Sequence, residues 1–303
     1  MNYIETSSQE NGRPVKLAYS DHGSGDPVLL IHGWPMNKQM WEYQVEPLVN
    51  AGYRVIAYDR RGFGESDKPW DGYDYNTLTE DLRSLIVQLN LSDITLVGFS
   101  MGGGEVARYF GKYNGEGISK VVLISSILPQ LLQTQSNPDG VTPDLVNDMM
   151  GQMNEDRPHF LEAFGKAFFG VNLISHPVSN ASLEYYRTLT ASATHRATMQ
   201  CMDSWAYTDF IEDTKKISVP TLLIHGDNDK TVPLEISSGR AVKLIPGGQL
   251  LVYKGAPHGL FFTEKSRLNR DLVSFITRGT FSTDDLPPEG YDILPSNEPL
   301  ITR

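Results

Sequence analysis

The sequence predicts an α/β protein: a mostly parallel sheet of about eight strands, helices on both faces and an inserted helical cap. Three observations predict it. Short apolar runs of strand length alternate with helical periodicities along most of the 303-residue chain. The later runs are too continuously apolar to have a wet face, which suits parallel strands covered on both sides. The alternation lapses once, between about Pro129 and Asp213, and then resumes.

In chain order, "VKLAYSDHG", "PVLLIHG" and "RVIAYDRRG" read as the first strands. Leu78, Leu82, Leu85, Ile86 and Leu89 recur at helical spacing, opened by Thr77 and Glu80 in a capping-box arrangement. The strand "ITLVGFS" then runs into a helix entered at Met101, with Val106, Tyr109 and Phe110 on one face. "KVVLISS" follows. The interrupted segment, 129–213, contains no strand-like run and places Phe160, Phe164 and Phe168 at four-residue steps after Pro158, a residue suited to a helix start. It reads as a helical cap. "TLLIHGD" and "LLVYKGA" resume the sheet pattern, and Leu268, Leu272 and Ile276 mark a late helix. The core is therefore expected over 1–128 and 214–281. The remainder, 282–303, holds four prolines and five carboxylates and is expected to be an extended or disordered acidic tail.

Composition excludes several functions. With 40% hydrophobic and 21% charged residues the chain is ordinary globular material, and no apolar run approaches the length of a membrane span. The opening residues lack a secretory apolar region, so a cytoplasmic location is expected. A net charge of -11 argues against nucleic acid as a partner. The single cysteine, Cys201, rules out an intrachain disulfide and a cysteine-based zinc cage, and reads as a buried filler. Homo-oligomerisation is left open.

The chemistry centres on "LVGFSMGGGEVARYF". Gly98, Ser100 and Gly102 form G-x-S-x-G between a strand and a helix, where a sharp turn lifts the serine out of the sheet and any Cβ at 98 or 102 collides with neighbouring backbone. Gly103 and Gly104 read as close helix-to-sheet packing. A serine hydroxyl needs a base within hydrogen-bond reach, itself oriented by a third group. Asp227 and Asp229 lie just beyond "TLLI", and His258 lies just after "LLVY", both at strand ends, where open parallel sheets place their sites. Asp229 is preferred because it lies further into its loop; Asp227 is read as bracing the turn. His22, His159, His176 and His195 lack a strand-end setting, and His225 is read as holding its own loop together.

Together these residues resemble the α/β-hydrolase family. "HGWP", "YDRRGFGES", "GFSMGGGEVARY", "HGDNDKTVP" and "YKGAPHG" are most similar to its cofactor-free haloperoxidase, or non-haem chloroperoxidase, branch, which includes arylesterases and perhydrolases. The resemblance implies Ser100 as nucleophile, Asp229 as acid, His258 as base, and the backbone amides of Trp34 and Met101 as the oxyanion hole. Relatives that attack with a carboxylate, the haloalkane dehalogenases and epoxide hydrolases, are disfavoured by serine at position 100. What remains is acyl transfer on a small carboxylic ester or acid, with no metal and no organic cofactor required.

Pro35 supplies no amide and restricts Trp34, so the Trp34 carbonyl is expected to face the pocket and accept a hydrogen bond from peroxide; the competing expectation is that Pro35 merely shapes its loop. Pro35, Phe99, Ile127, Leu128, Trp205 and Leu234 are expected to line a compact apolar pocket. An amidase or lactonase on the same triad, or a weakly catalytic hydrolase-fold binding protein, is the alternative.

Overall fold

The computed structural model describes residues 2–281 and 291–295. The strands β1 (Asn2–Glu10), β2 (Arg13–His22), β3 (Pro27–Ile31), β4 (Arg54–Tyr58), β5 (Ile94–Phe99), β6 (Ile118–Ile124), β7 (Thr221–Gly226), β8 (Gln249–Tyr253) and β9 (Tyr291–Pro295) form one sheet. Its order is β1-β2-β4-β3-β5-β6-β7-β8-β9. The strands from β4 to β8 in that order pair in parallel, while β1–β2, β2–β4 and β8–β9 are antiparallel. The chain's progression across the sheet reverses at β3, with β4 on one side and β5 on the other, and such a switch point holds ligands at the carboxyl ends of the strands beside it, here β3 and β5.

Side-chain alternation explains why the central strands are apolar throughout. Along β3, Leu29 and Ile31 enter one core while Val28 and Leu30 enter the other. The first core is covered by α2 (Tyr75–Gln88) and α3 (Gly102–Tyr113), through residues such as Leu82 and Phe110. The second is covered by α1 (Glu42–Asn50) and α10 (Lys265–Arg278), through Leu48, Leu268 and Leu272. Both faces are dry, so neither can be polar.

Between β6 and β7 the chain forms α4 (Pro143–Phe168), α5 (Asn180–Ala191), α6 (His195–Tyr207) and the short α7 (Ile211–Thr214). Helix α4 breaks at Asp156, whose φ of -149° and ψ of 85° are not helical. The Asp156 carboxylate accepts from the His159 amide at 3.0 Å, restarting the helix with Pro158 in its first turn. The short helices α8 (Ser238–Ala241) and α9 (Leu260–Thr263) flank β8. No described helix is long and apolar enough to cross a membrane. Cys201 is buried on α6, and burial pushes its thiol up to about 12.

Three local features depart from the sequence reading. Strand β1 was not expected: only Ile4 and Thr6 are buried along it, so its apolar content is slight. Strand β9 falls within the segment expected to be tail; 282–290 and 296–303 lie outside the described residues. Helix α2 begins one turn earlier than Thr77, because Asp74 caps it, accepting from the amides of Asn76 at 3.0 Å and Thr77 at 3.1 Å. Asp74 is the stronger acceptor, and the T-x-x-E pair lies inside the helix.

Candidate active site

Strand β5 ends at Phe99, and Ser100 turns the chain with a φ of 51°, in the left-handed region. The turn is pinned from both sides: the Ser100 amide donates to the Ile124 carbonyl at 2.9 Å, and the Ser100 carbonyl accepts from Gly103 at 3.0 Å. A Cβ on Gly98 would meet the Gly102 carbonyl oxygen at 2.8 Å, and one on Gly102 would meet the Ile31 carbonyl oxygen at 2.7 Å. Glycine is required at both positions. Gly103 and Gly104 sit against Ser126 and against Tyr75 and Phe210, so they serve close packing.

Three side chains from separate strand ends converge here. His258 Nε2 lies 3.0 Å from Ser100 Oγ, and His258 Nδ1 lies 2.6 Å from Asp229 Oδ2. All three residues are buried. The other Asp229 oxygen accepts from the amides of Thr231 at 2.9 Å and Val232 at 2.8 Å, which fixes the carboxylate plane. Burial opposes ionisation of Asp229, but the charge of His258 and hydrogen bonds from His225 and His258 outweigh it and hold the carboxyl well below the usual range. An ionised Asp229 can only accept, so Nδ1 is the nitrogen that carries a proton towards it, and Nε2 is the nitrogen placed to accept from the serine. Phe99 and Phe168 pack against the imidazole at centroid distances of 5.1 and 4.8 Å, restricting its rotation.

The neighbouring candidates have other tasks. Asp227 accepts from the Gly255 amide at 2.6 Å and faces solvent. His225 is within 2.8 Å of Ser238 Oγ and of the Val232 carbonyl, and so ties the acid's loop to α8. His32 Nε2 accepts from the Arg60 amide at 2.9 Å while Nδ1 lies 2.9 Å from the Gly33 carbonyl, so His32 is a neutral brace. Burial first, then the Arg60 charge, lower its pKa well below the ordinary value.

The loop after His32 carries Gly33, where a Cβ would strike the Phe99 ring at 2.5 Å; only glycine lets this loop lie against the serine. Trp34 follows it. Among the described residues the backbone amides of Trp34 and Met101 find no acceptor, which leaves both free for a ligand oxygen. Arg60 Nη2 donates to the His32 carbonyl at 2.8 Å and Arg60 Nε donates to Glu105 of α3 at 2.8 Å. One buried ion pair thus joins the Trp34 loop to the helix that begins behind Met101.

A cavity of about 260 Å³ opens above Ser100 and His258, walled mainly by apolar side chains of the strand ends and of α4 and α6. Ile127 and Trp205 line it, as expected from the sequence. Four expected lining residues do not. Phe99 lies beneath the imidazole, and Leu128 and Leu234 are buried in the core. Pro35, joined to Trp34 by a cis peptide, faces a separate groove of about 520 Å³ that touches neither Ser100 nor His258.

Residues 26–265 match the alpha/beta hydrolase fold family. The chain belongs to that family. A non-heme chloroperoxidase from Kitasatospora aureofaciens is 39% identical over 266 residues, 87% of this chain and 97% of its own. A bifunctional esterase/perhydrolase from Acinetobacter calcoaceticus is 35% identical over 279 residues, 91% of this chain and 99% of its own. Among solved structures, a bromoperoxidase from Bacillus anthracis superposes with a TM-score of 0.87 at 42% identity, covering 91% of this chain and 99% of that one.

Sequence reasoning missed much of this hydrolase's cavity wall: Leu131, Val141, Leu145, Met149, Phe164 and Ala167, with Lys230 at the exposed rim. A signal existed in part. Leu145 and Met149 stand one helical turn apart, and Phe164 belongs to the four-residue phenylalanine series, but periodicity does not say whether a face meets core or cavity.

Proposed function

We propose that the chain is a serine carboxylesterase acting on small apolar esters through an acyl-enzyme, with hydrogen peroxide able to replace water as acyl acceptor. The observation that carries this reading is the unbroken hydrogen-bonded series Ser100–His258–Asp229, opening into a compact apolar cavity. In this reading Ser100 Oγ attacks the ester carbonyl while His258 Nε2 takes its proton. Asp229 stabilises the imidazolium that forms and keeps its own charge. The amides of Trp34 and Met101 receive the negative oxygen of the tetrahedral intermediate; one such donor is typically worth about 3 to 4 kcal/mol at the transition state. His258 then returns the proton to the departing alcohol. Water or peroxide repeats the sequence in reverse, giving a carboxylic acid or a peracid.

The names of the similar proteins support esterase and perhydrolase chemistry in preference to an amidase, a lactonase or a binding protein. A fluorophosphonate should label Ser100, as mapped by mass spectrometry, and the label should vanish in Ser100→Ala. Assays of a small-ester panel with and without peroxide then read the acceptor. A wild-type protein that neither labels at Ser100 nor cleaves any ester would sink the reading. For the peroxide arm, Pro35→Leu should lower the ratio of peracid formation to hydrolysis, and an unchanged ratio would remove the role given to the Trp34 carbonyl.

A further inference from the structure

The cavity above Ser100 and the groove beside it share one lining residue among those described, Phe164. Trp34 lines the cavity and Pro35 the groove; Ala167 lines the cavity and Phe168 the groove. At both places consecutive residues border different spaces, and Phe164 borders both.

The two phenylalanines of this wall are held differently. Phe168 is 1% exposed and packs on His258, Phe99 and Phe261, so it is fixed to the catalytic centre. Phe164 is only partly buried and touches Trp34, Phe160 and Phe168 through ring contacts at 5.3, 5.9 and 5.7 Å. The Phe164 ring makes no hydrogen bond, and shortening it removes these ring contacts together with the partition. The groove beyond has a mixed wall: Leu161, Leu183 and Phe169 line it beside Asn180 and Thr190, and its charged rim residues Lys166 and Arg187 are paired with Glu162 and Glu184. Tyr186 also lines it, and its buried hydroxyl has no hydrogen-bond partner among the described residues. The cavity, at about 260 Å³, falls just below the common range for small-molecule sites of roughly 300 to 1,000 Å³; the groove, at about 520 Å³, lies within it.

Building on the esterase reading above, we infer that Phe164 sets the acyl-chain length this enzyme accepts, by dividing one continuous binding space into a short-chain cavity and a groove that would take the distal methylenes of a longer straight chain. The wild-type enzyme then favours acetyl over octanoyl esters. Opening the partition exposes apolar wall worth about fourfold in kcat/KM for each methylene it receives.

The test is the ratio of kcat/KM for p-nitrophenyl octanoate to that for p-nitrophenyl acetate, which does not depend on the active fraction of a preparation. Phe164→Ala should raise the ratio at least about tenfold over wild type, and Phe164→Leu should move it less, in the same direction. Adding Leu183→Trp, which fills the groove away from the triad, should return the Phe164→Ala ratio to within about threefold of wild type. Three results overturn the inference: a wild type that already prefers octanoate, a ratio unmoved by both Phe164 substitutions, or a gain that survives Leu183→Trp. Failure of the esterase reading looks different, since neither ester is then cleaved by the wild type and Ser100 takes no fluorophosphonate.

Discussion

Asp227 and Asp229 stand two positions apart in one loop, yet their surroundings differ sharply. Asp229 is buried against His258 and takes two amide donors, whereas Asp227 braces the Gly255 turn in solvent. Asp229→Asn should lower kcat by about 10⁴-fold, because the amide cannot hold the imidazole in its working tautomer. Asp227→Asn should change kcat by less than about threefold, since its carboxylate is exposed and bonds the Gly255 amide rather than His258. Steady-state ester hydrolysis by the two variants checks this. The same carboxylate has a consequence for acid stability. Its native pKa is depressed, so it stabilises the fold above the ordinary carboxylate value of about 4, and that contribution is lost as the pH falls below it. Urea titrations should therefore show that unfolding free energy depends less steeply on pH, between about 4 and 2, in Asp229→Asn than in wild type. The grouping of Ser100, Asp229 and His258 was legible in the sequence because each of these residues sits in a short glycine-marked turn at a strand end. The Arg60–Glu105 pair was not, because two opposite charges far apart in sequence carry no sign that they will be buried together.

Helix α2 shows how a local pattern can mislead. Thr77 and Glu80 match a capping box, but the chain is already helical from Tyr75, and Asp74 supplies the cap. Asp74→Ala should cost about 1 kcal/mol in denaturant unfolding, with no matching loss in catalytic rate. The central strands and the helices α2, α3 and α10 were legible from periodicity, since each buries a full apolar face. The edge strands were not. Among the described residues strand β1 pairs on one side only and buries little more than Ile4 and Thr6, so most of its residues stay polar. The break in α4 was half legible: Pro158 announced a helix start, but the first half from Pro143 merges into it across Asp156.

The whole molecule places a rigid two-faced sheet beneath helices inserted between β6 and β7, with the site at their junction. Trp34 is tied across that junction, its indole donating to the Thr198 carbonyl of α6 at 2.9 Å. This arrangement explains why the convergence of the candidate reacting groups could be read from the chain while most of the cavity could not. The former belong to the sheet's own turns; the latter come from α4 and α6, whose docking is a matter of tertiary packing that no window of sequence reports. One feature of the sheet bears on durability. Residue 100 occupies a backbone conformation that any Cβ resists, at a cost of about 1 to 2 kcal/mol. Of two inert proteins lacking the hydroxyl, Ser100→Gly should therefore survive heating longer than Ser100→Ala, by about 1 kcal/mol in a melting experiment. A side chain at this corner is kept at the expense of toughness.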